Sequence, residues 1–300
     1  MNILIAGGTG LIGRPLVALL VDHGARVSVA SLDNERLAPP DCTFHHLDLT
    51  EMSNCRAACE GQDVVFNLLC AKGSPAMARD KPASIFVPNV LFSMNLMEAA
   101  RVCGVERFLY ASSLAVYPPA EVFHEDEVWT DFPSPNDQFA GWAKRMGELQ
   151  AEAYAIEYDW QGVSIVRPGN TYGPFDEFRT HSAMVIPSLI RRALSGENPL
   201  IVWGDGSAKR DFVYARDVAR GMLMAVENAI TTPLNLGSGK GTAIRTLVET
   251  IVQHVPEPPE VVWDTSKPSG DLLRILDTSR AQALGFAPEV NLDDGIAETI

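Results

Sequence analysis

Short apolar runs alternate with longer amphipathic stretches along the first half of the chain. Residues 2–6 form an apolar run that ends in glycines, and residues 11–23 carry apolar side chains at helical spacing. The alternation predicts strands at 2–6, 27–30, 43–47, 63–69, 108–112 and 163–167, and helices at 11–23, 89–103 and 137–158. Continuous apolar strands separated by helices indicate a parallel sheet that is buried on both faces. Because crossover connections are right-handed, we expect an α/β fold with a doubly wound sheet.

Beyond Arg167 the alternation becomes irregular and proline becomes frequent. This change predicts a second, smaller α/β lobe in the C-terminal half of the chain. We place the larger domain at 1–166 together with about 209–237, and the smaller lobe at 167–208 and 238–300.

Composition narrows the class of protein. The 300 residues are 46% hydrophobic and 21% charged, which is typical of a globular chain with a large core. The formal net charge of −14 argues against nucleic acid or an anionic membrane as the main partner. We find no run of about 18 apolar residues that would cross a bilayer. The N-terminal residues 1–6 lack the basic region of a signal peptide.

Cysteine and histidine usage favours a cytoplasmic protein without a metal. The five cysteines are odd in number and form no CxxC pair, which fits reduced thiols better than a disulfide framework. The six histidines show neither HxxxH nor HExxH spacing, so the sequence gives a metal site no support.

Three glycines directly follow the first expected strand and open the first expected helix. Gly7, Gly10 and Gly13 form the pattern GxxGxxG. Glycine lets the backbone turn tightly and lets a pyrophosphate approach it closely. The helix N-terminus then presents free N–H groups to the phosphates. In this strand–turn–helix setting the pattern predicts a dinucleotide-binding loop.

A series of short motifs follows this loop in order along nearly the whole chain. They occupy residues 7–13, 46–49, 63–68, 110–117, 167–174, 203–206, 209–213, 235–239 and 276–280. Together with the loop, they make the chain resemble the extended short-chain dehydrogenase/reductases of the NAD-dependent epimerase/dehydratase group, which act on nucleotide sugars. Residues 70–73 and 185–187 resemble the GDP-fucose synthase branch of that group in particular.

The resemblance implies that the two parts of the chain bind different ligands. The larger domain is then a Rossmann domain that binds NAD or NADP, and the smaller lobe binds a nucleotide-diphosphate sugar. It also implies a homodimer held by a four-helix bundle, to which residues 89–103 and 137–158 would contribute.

The catalytic constellation that the resemblance implies is incomplete. The family uses a Ser or Thr, a Tyr, and a Lys four residues after the Tyr, so that the ammonium lowers the phenol pKa and the phenol can act as a base. Ser113 and Lys144 match, but the tyrosine position is Ala140. Two explanations stay open, natural loss of catalysis or an introduced Tyr-to-Ala change, and the intact flanking residues favour the second. Either way we expect a poor catalyst.

Neighbouring positions restrict the expected reaction. Leu114 and Ala115 stand where dehydratases of the group carry an Asp-Glu pair, so dehydration is not expected. The Cys and His that epimerise C3 and C5 in GDP-fucose synthases are also missing, since Ala115 and Met184 stand at those positions. His181 lies close enough in sequence to remain a candidate for a second acid. This leaves a 4-epimerase, which removes and returns hydride at C4 through a 4-keto sugar. The alternatives are an NADPH-dependent 4-ketoreductase and a non-catalytic NAD(P)-binding sensor.

The expected dinucleotide site comprises Gly7, Gly10, Leu11, Ile12, Gly13, Ser31, Asp33, Asp48, Leu49, Leu68 and Lys144. The choice between NAD and NADP stays open at the end of the second strand. Ser31 there would tolerate a 2′-phosphate that Arg14 or Arg36 could pair with, whereas Asp33 could bond the ribose of NAD. Asp48 resembles the family acid that bonds the adenine amino group.

The expected sugar-nucleotide site comprises Ser113, Asn170, Arg210 and Arg274. Arg210 resembles the arginine that binds the diphosphate, and Arg274 would assist it. A guanidinium suits this role because it can bond two phosphate oxygens at once.

Overall fold

A parallel sheet occupies the centre of the protein. The computed structural model describes residues 1–71, 75–179, 183–267 and 270–300. The strands in this part of the chain are β1 (Asn2–Ala6), β2 (Arg26–Ser31), β3 (Thr43–His46), β4 (Val64–Asn67), β5 (Arg107–Ala111), β6 (Val122–Phe123), β7 (Val163–Pro168), β8 (Asn170–Tyr172), β9 (Leu200–Trp203), β10 (Lys209–Arg210), β11 (Phe212–Tyr214), β12 (Leu234–Leu236), β13 (Thr242–Ala243), β14 (Val261–Asp264) and β15 (Leu273–Leu276). Among them, seven form the central sheet in the order β12-β7-β5-β4-β1-β2-β3, with every neighbouring pair parallel.

Helices cover both faces of this sheet. Those in the described residues are α1 (Gly13–Asp22), α2 (Met52–Cys59), α3 (Pro75–Asp80), α4 (Ala83–Val102), α5 (Gln138–Tyr158), α6 (Val185–Leu194), α7 (Ala215–Glu227), α8 (Ile244–His254), α9 (Ser279–Ala283) and α10 (Leu292–Thr299). Ile3 and Ile5 belong to the core cluster beneath α1 and α7, while Leu4 and Ala6 belong to the cluster beneath α2 and α4. This alternation along β1 explains why its whole sequence is apolar.

The order of the strands reverses between β1 and β4. The chain moves outward from β1 to β2 and β3, and then crosses back to place β4 on the other side of β1. Loops that follow two such strands diverge, so a crevice opens at their carboxyl ends. The glycine loop after β1 and the segment after β4 both lie at this crevice.

Smaller sheets accompany the irregular second half of the sequence. In the described residues they are a four-stranded sheet, β13-β10-β15-β6, and two pairs, β11-β8 and β14-β9. Their apolar cluster includes Leu189 and Ile190 of α6 and Leu247, Val248 and Ile251 of α8. Strand β12 belongs to the central sheet and β10 to the four-stranded sheet. The exact division of the chain into two domains stays a prediction.

Helix α4 begins earlier than expected, at Ala83 instead of residue 89. Pro88 lies inside it, and a proline removes one backbone hydrogen bond without ending a helix whose other face is well packed. Among the described helices, α4 alone is long and apolar enough to cross a membrane by length and composition. It packs against α2 and α5, and 44% of its most apolar stretch is buried inside the protein.

A buried ion pair joins α5 to β7. The Arg167 guanidinium donates to both carboxylate oxygens of Glu148, at 2.9 and 2.7 Å, and both side chains are almost fully buried. Ser112 donates to the same carboxylate at 2.5 Å, and Arg167 also donates to the Tyr117 hydroxyl oxygen and to the Glu125 carbonyl. All these charges are paired and hydrogen-bonded, which is the condition under which a buried pair is tolerated.

We expect the Glu148→Gln substitution to lower the free energy of unfolding by about 3–5 kcal/mol, because it leaves the buried Arg167 charge without a counter-ion. Urea denaturation followed by circular dichroism measures the change. The matched control is Glu98→Gln, which removes the partly exposed pair with Arg101 on α4. That change should cost less than about 1 kcal/mol. Equal losses in the two variants would contradict the special position of the Glu148–Arg167 pair.

Candidate active site

The glycine loop after β1 combines glycines that the fold needs with one that it does not need. A Cβ on Gly13 would lie 2.5 Å from the Gly7 carbonyl oxygen, and Gly7 itself has a φ of +83°. A Cβ on Gly10 would meet only the Gly7 carbonyl oxygen within 4 Å, at an ordinary 3.5 Å. The space above Gly10 is therefore open, as a bound group approaching the backbone requires.

Backbone amides face this space at the start of α1. Within the described residues, the N–H groups of Leu11 and Ile12 have no acceptor, and α1 has no side-chain cap. Unsatisfied N–H groups at a helix N-terminus attract phosphate oxygens. The open glycine and the free amides fit the pyrophosphate of a dinucleotide.

Asp33 reaches back to the glycine loop. The Thr9 hydroxyl donates to the Asp33 carboxylate at 2.5 Å and lies 3.1 Å from the Ser31 hydroxyl oxygen. The Asp33 amide in turn donates to that oxygen at 3.0 Å. Arg14 sits beside them, with its guanidinium bonded to the Thr9 and Leu37 carbonyls. The carboxylate therefore lies at the end of β2 next to the loop, although it follows the strand by two residues.

The other expected dinucleotide residues lie at the same edge of the sheet. Asp48 follows β3 and accepts bonds from the Thr50 amide and hydroxyl, which lower the pKa of its carboxyl. The Leu49 side chain is buried in the core, so only its backbone could face a ligand. Leu68 follows β4 and donates its amide to the Ala6 carbonyl at 3.0 Å.

Two close contacts bring Ser113, Ala140 and Lys144 together. The Lys144 ammonium donates to the Ala111 carbonyl at 2.7 Å, two residues before Ser113. A Cβ on Gly141 would lie 2.3 Å from the Ala115 carbonyl oxygen, so the first turn of α5 packs directly on the short 3-10 helix that Ser113 caps. The expected catalytic positions thus share one corner of the crevice.

Lys144 is held from both sides of this corner. Its ammonium also donates to the Leu69 carbonyl at 3.1 Å, so it bridges the segment after β4 and the last residue of β5. Burial lowers the pKa of this ammonium, and the negative charge of Glu148 partly opposes that shift. The Glu148–Arg167 pair lies one turn further along α5 and ties the helix to Ser112, the neighbour of Ser113.

The expected sugar-nucleotide residues lie on the smaller sheets. Arg210 and Arg274 are directly paired across the parallel strands β10 and β15. Burial and the neighbouring Arg274 charge lower the pKa of Arg210. The Asn170 side-chain amide instead donates a hydrogen bond to the Asp211 backbone carbonyl at 3.0 Å.

Sequence reasoning missed two acidic residues that organise the site. The Asp211 carboxylate accepts bonds from Ser238, Gly239 and Leu276, and burial raises its pKa. Asp137 pairs with Arg274 at 2.6 Å. Asp211 lies within a motif that the sequence displays, but its partners are 27 to 65 residues away.

His181 and Lys72 lie outside the described residues. Within those residues, no group of three or more His, Cys, Asp or Glu side chains could hold a metal ion.

The fold and this crevice define a dinucleotide-binding enzyme of the doubly wound α/β class. Residues 3–237 match the family model described as the NAD dependent epimerase/dehydratase family, and the chain belongs to that family. Its members are extended short-chain dehydrogenase/reductases, a class of nucleotide-sugar epimerases, dehydratases and reductases. The predictions of family, doubly wound fold and NAD or NADP as cofactor are therefore confirmed.

Similar proteins span nearly the whole chain. GDP-L-fucose synthase 1 of Arabidopsis thaliana is 28% identical over 307 residues, which cover 99% of this chain and 91% of the relative. The solved UDP-glucose 4-epimerase of Thermotoga maritima, with UDP-glucose, is 28% identical with a TM-score of 0.83, covering 100% of this chain and 97% of that one. The Thermus thermophilus UDP-glucose 4-epimerase complex with NAD is 26% identical with a TM-score of 0.84, with the same coverage.

We expect Gly10→Val to weaken NAD binding while the protein stays folded, because its side chain fills space that the fold leaves open. Overpacking of this kind costs about 1–3 kcal/mol, or roughly a 5- to 150-fold loss of affinity. Isothermal titration with NAD measures the affinity, and thermal unfolding of the ligand-free protein checks the fold. Gly13→Val is the contrast, since its Cβ would collide with the Gly7 backbone and destabilise the protein itself. Undiminished NAD affinity in Gly10→Val would remove this loop from the cofactor site.

Proposed function

We propose that the protein is an NAD-dependent nucleotide-sugar 4-epimerase whose proton-transferring residue is missing at position 140. The observation that carries this proposal is the frame around Ala140. Lys144 and Ser113 occupy one corner of the crevice, and Gly141 packs the start of α5 against the segment that follows Ser113. Only the group that would move a proton is absent from an otherwise complete arrangement.

The position of Asp33 supports NAD rather than NADP. Its carboxylate lies against Thr9 of the glycine loop, where it would bond a ribose hydroxyl and repel a 2′-phosphate. Arg14, which could have paired with such a phosphate, is bonded to backbone carbonyls and stacks on the Phe175 ring at 4.5 Å.

Each residue of the site has a distinct task in this proposal. The Ser113 hydroxyl holds the sugar oxygen at C4, and Lys144 supplies a fixed positive charge beside position 140. Bound NAD supplies the capacity to accept hydride from C4 and return it. Leu114 and Ala115 carry no titratable group, so neither of these two positions would assist loss of water. Arg210 and Arg274 bind the diphosphate.

A non-catalytic protein that senses NAD and a nucleotide sugar is the second candidate, and Ala140 itself favours it. An NADPH-dependent 4-ketoreductase is supported less well, because the Asp33 carboxylate opposes the 2′-phosphate.

We also propose that the protein is a cytoplasmic homodimer. Apolar side chains are exposed along one side of α4, at Val87, Leu91 and Met94, and on α5, at Leu149 and Ile156. Such faces suit the four-helix bundle expected from the family resemblance.

We expect Ala140→Tyr to raise turnover of a UDP-, GDP-, CDP- or dTDP-hexose by about 10²-fold or more, the scale of general acid–base catalysis. The positive charge of Lys144 would hold the pKa of the new phenol below the ordinary tyrosine value of about 10. Activity should therefore rise with pH through a single ionisation below that value. A substrate panel, with bound NAD quantified in each preparation, measures the gain.

Ala140→Phe is the matched control, because it adds the same ring without an ionisable proton. An equal gain in the two variants would show that ring packing, not proton transfer, is responsible. A folded, NAD-loaded Ala140→Tyr protein that gains activity on no sugar would count against the epimerase and leave the sensor as the better account.

We expect Arg210→Ala to weaken nucleotide-sugar binding by about 1.5–3 kcal/mol, the scale of one hydrogen bond to a charged group. NAD binding should not change, since Arg210 lies on the smaller sheet. Isothermal titration with each ligand separates the two effects. Arg101→Ala, at the end of α4, should leave both affinities alone. Loss of both ligands in Arg210→Ala would instead assign this arginine a role in folding.

A further inference from the structure

The start of the helix that carries position 140 is tied to the arginine pair. The Asp137 carboxylate accepts a bond from the Arg274 guanidinium at 2.6 Å, with 28% and 14% of the two side chains exposed. Residues 137 and 274 are far apart in sequence, so this contact joins α5 to the four-stranded sheet. Asp271 lies farther from the same guanidinium, at 3.8 Å.

Arg210 has no comparable partner. Its guanidinium donates to the backbone carbonyls of Lys209 and Asp271, and no ion pair between described residues includes it. The two neighbouring guanidiniums are therefore met by one close carboxylate, that of Asp137. A diphosphate carries more negative charge than one carboxylate and can bond both guanidiniums at once.

The Asp137 carboxylate also has a second set of hydrogen-bond donors within its own helix. It is the residue before the first turn of α5, where aspartate usually accepts bonds from the second and third helical amides. Its side chain makes no such bond here. Those amides belong to Phe139 and Ala140, and neither has an acceptor in the part of the chain that is described. The carboxylate can thus rest either on Arg274 or on the amides at position 140 and beside it.

We propose that Asp137 holds the place of the substrate diphosphate on Arg274, and that a bound diphosphate displaces its carboxylate onto the first turn of α5. Asp137 is then a positioning residue that couples diphosphate recognition to the backbone at position 140. This inference rests on the proposed nucleotide-sugar site. It assigns that site a response to its ligand that requires no catalysis, so the chain can be tested as it stands.

The test compares the NAD-loaded protein with Asp137→Asn by titration with UDP and with GDP. Asparagine caps helices as well as aspartate does, but it lacks the charge that competes for Arg274. We expect Asp137→Asn to bind the preferred diphosphate about fivefold more tightly, the scale of one partly exposed ion pair. Asp126→Asn is the matched control, because it removes the same charge from a carboxylate bonded to a different arginine, Arg280.

Hydrogen exchange supplies the readout that a merely structural aspartate would not give. Diphosphate should slow exchange of the Phe139 and Ala140 amides in the parent protein. In Asp137→Asn these amides should be protected before ligand is added.

Unchanged affinity in Asp137→Asn, an equal gain in Asp126→Asn, or exchange at the two amides that ignores the ligand would each overturn the coupling while leaving the diphosphate site intact. If neither the parent nor Asp137→Asn binds UDP or GDP at millimolar concentration, the nucleotide-sugar site and the coupling fall together.

Discussion

The buried pair between Glu148 and Arg167 is the constraint on which the site depends. Its two hydrogen bonds fix α5 against β7. The Ser112 hydroxyl donates a third hydrogen bond to the Glu148 carboxylate and so fixes the end of β5 against both elements. Such a pair adds little net stability compared with well-packed apolar residues, because both charges lose their water. The pair instead contributes geometric specificity, because two parallel hydrogen bonds permit only one register between the helix and the strand. That register also determines how far Lys144 on α5 lies from Ser113 after β5.

The same network extends from the large sheet into the second half of the chain. Arg167 donates to Tyr117, whose hydroxyl donates to Asn235 at 2.6 Å, and the Asn235 side chain donates to the carbonyls of Phe123 and Asp277. Arg167, Tyr117, Asn235 and Phe123 are buried and Asp277 is half-buried, so the buried groups would carry a desolvation cost if their partners moved. Helix α5, strand β7 and the residue that follows β15 are therefore parts of one hydrogen-bonded frame.

Sequence reasoning predicts the part of this protein that depends on local patterns. The apolar runs locate the strands of the central sheet as far as β7, and the spacing of Gly7, Gly10 and Gly13 locates the loop. The family resemblance, and not a local pattern, predicts that Ala140 stands at the tyrosine position. Sequence reasoning does not distinguish Gly10 from Gly13, because the difference is a collision with the Gly7 carbonyl that only the folded loop creates. Nor does it decide between Ser31 and Asp33, which depends on how the chain bends after β2. Contacts such as Asp137 with Arg274 join residues that share no periodicity.

The arginine pair has a kinetic consequence in a chain of net charge −14. If Arg210 and Arg274 bind a diphosphate, as proposed, that ligand approaches a molecule that repels it at long range, and the two arginines attract it only near contact. Salt at about 0.1 M limits charge effects between exposed groups to about 10 Å. Added salt should therefore remove the distant repulsion before it weakens the contact itself. The rate of ligand capture would then pass through a maximum with ionic strength, whereas a basic binding protein loses rate from the first addition of salt.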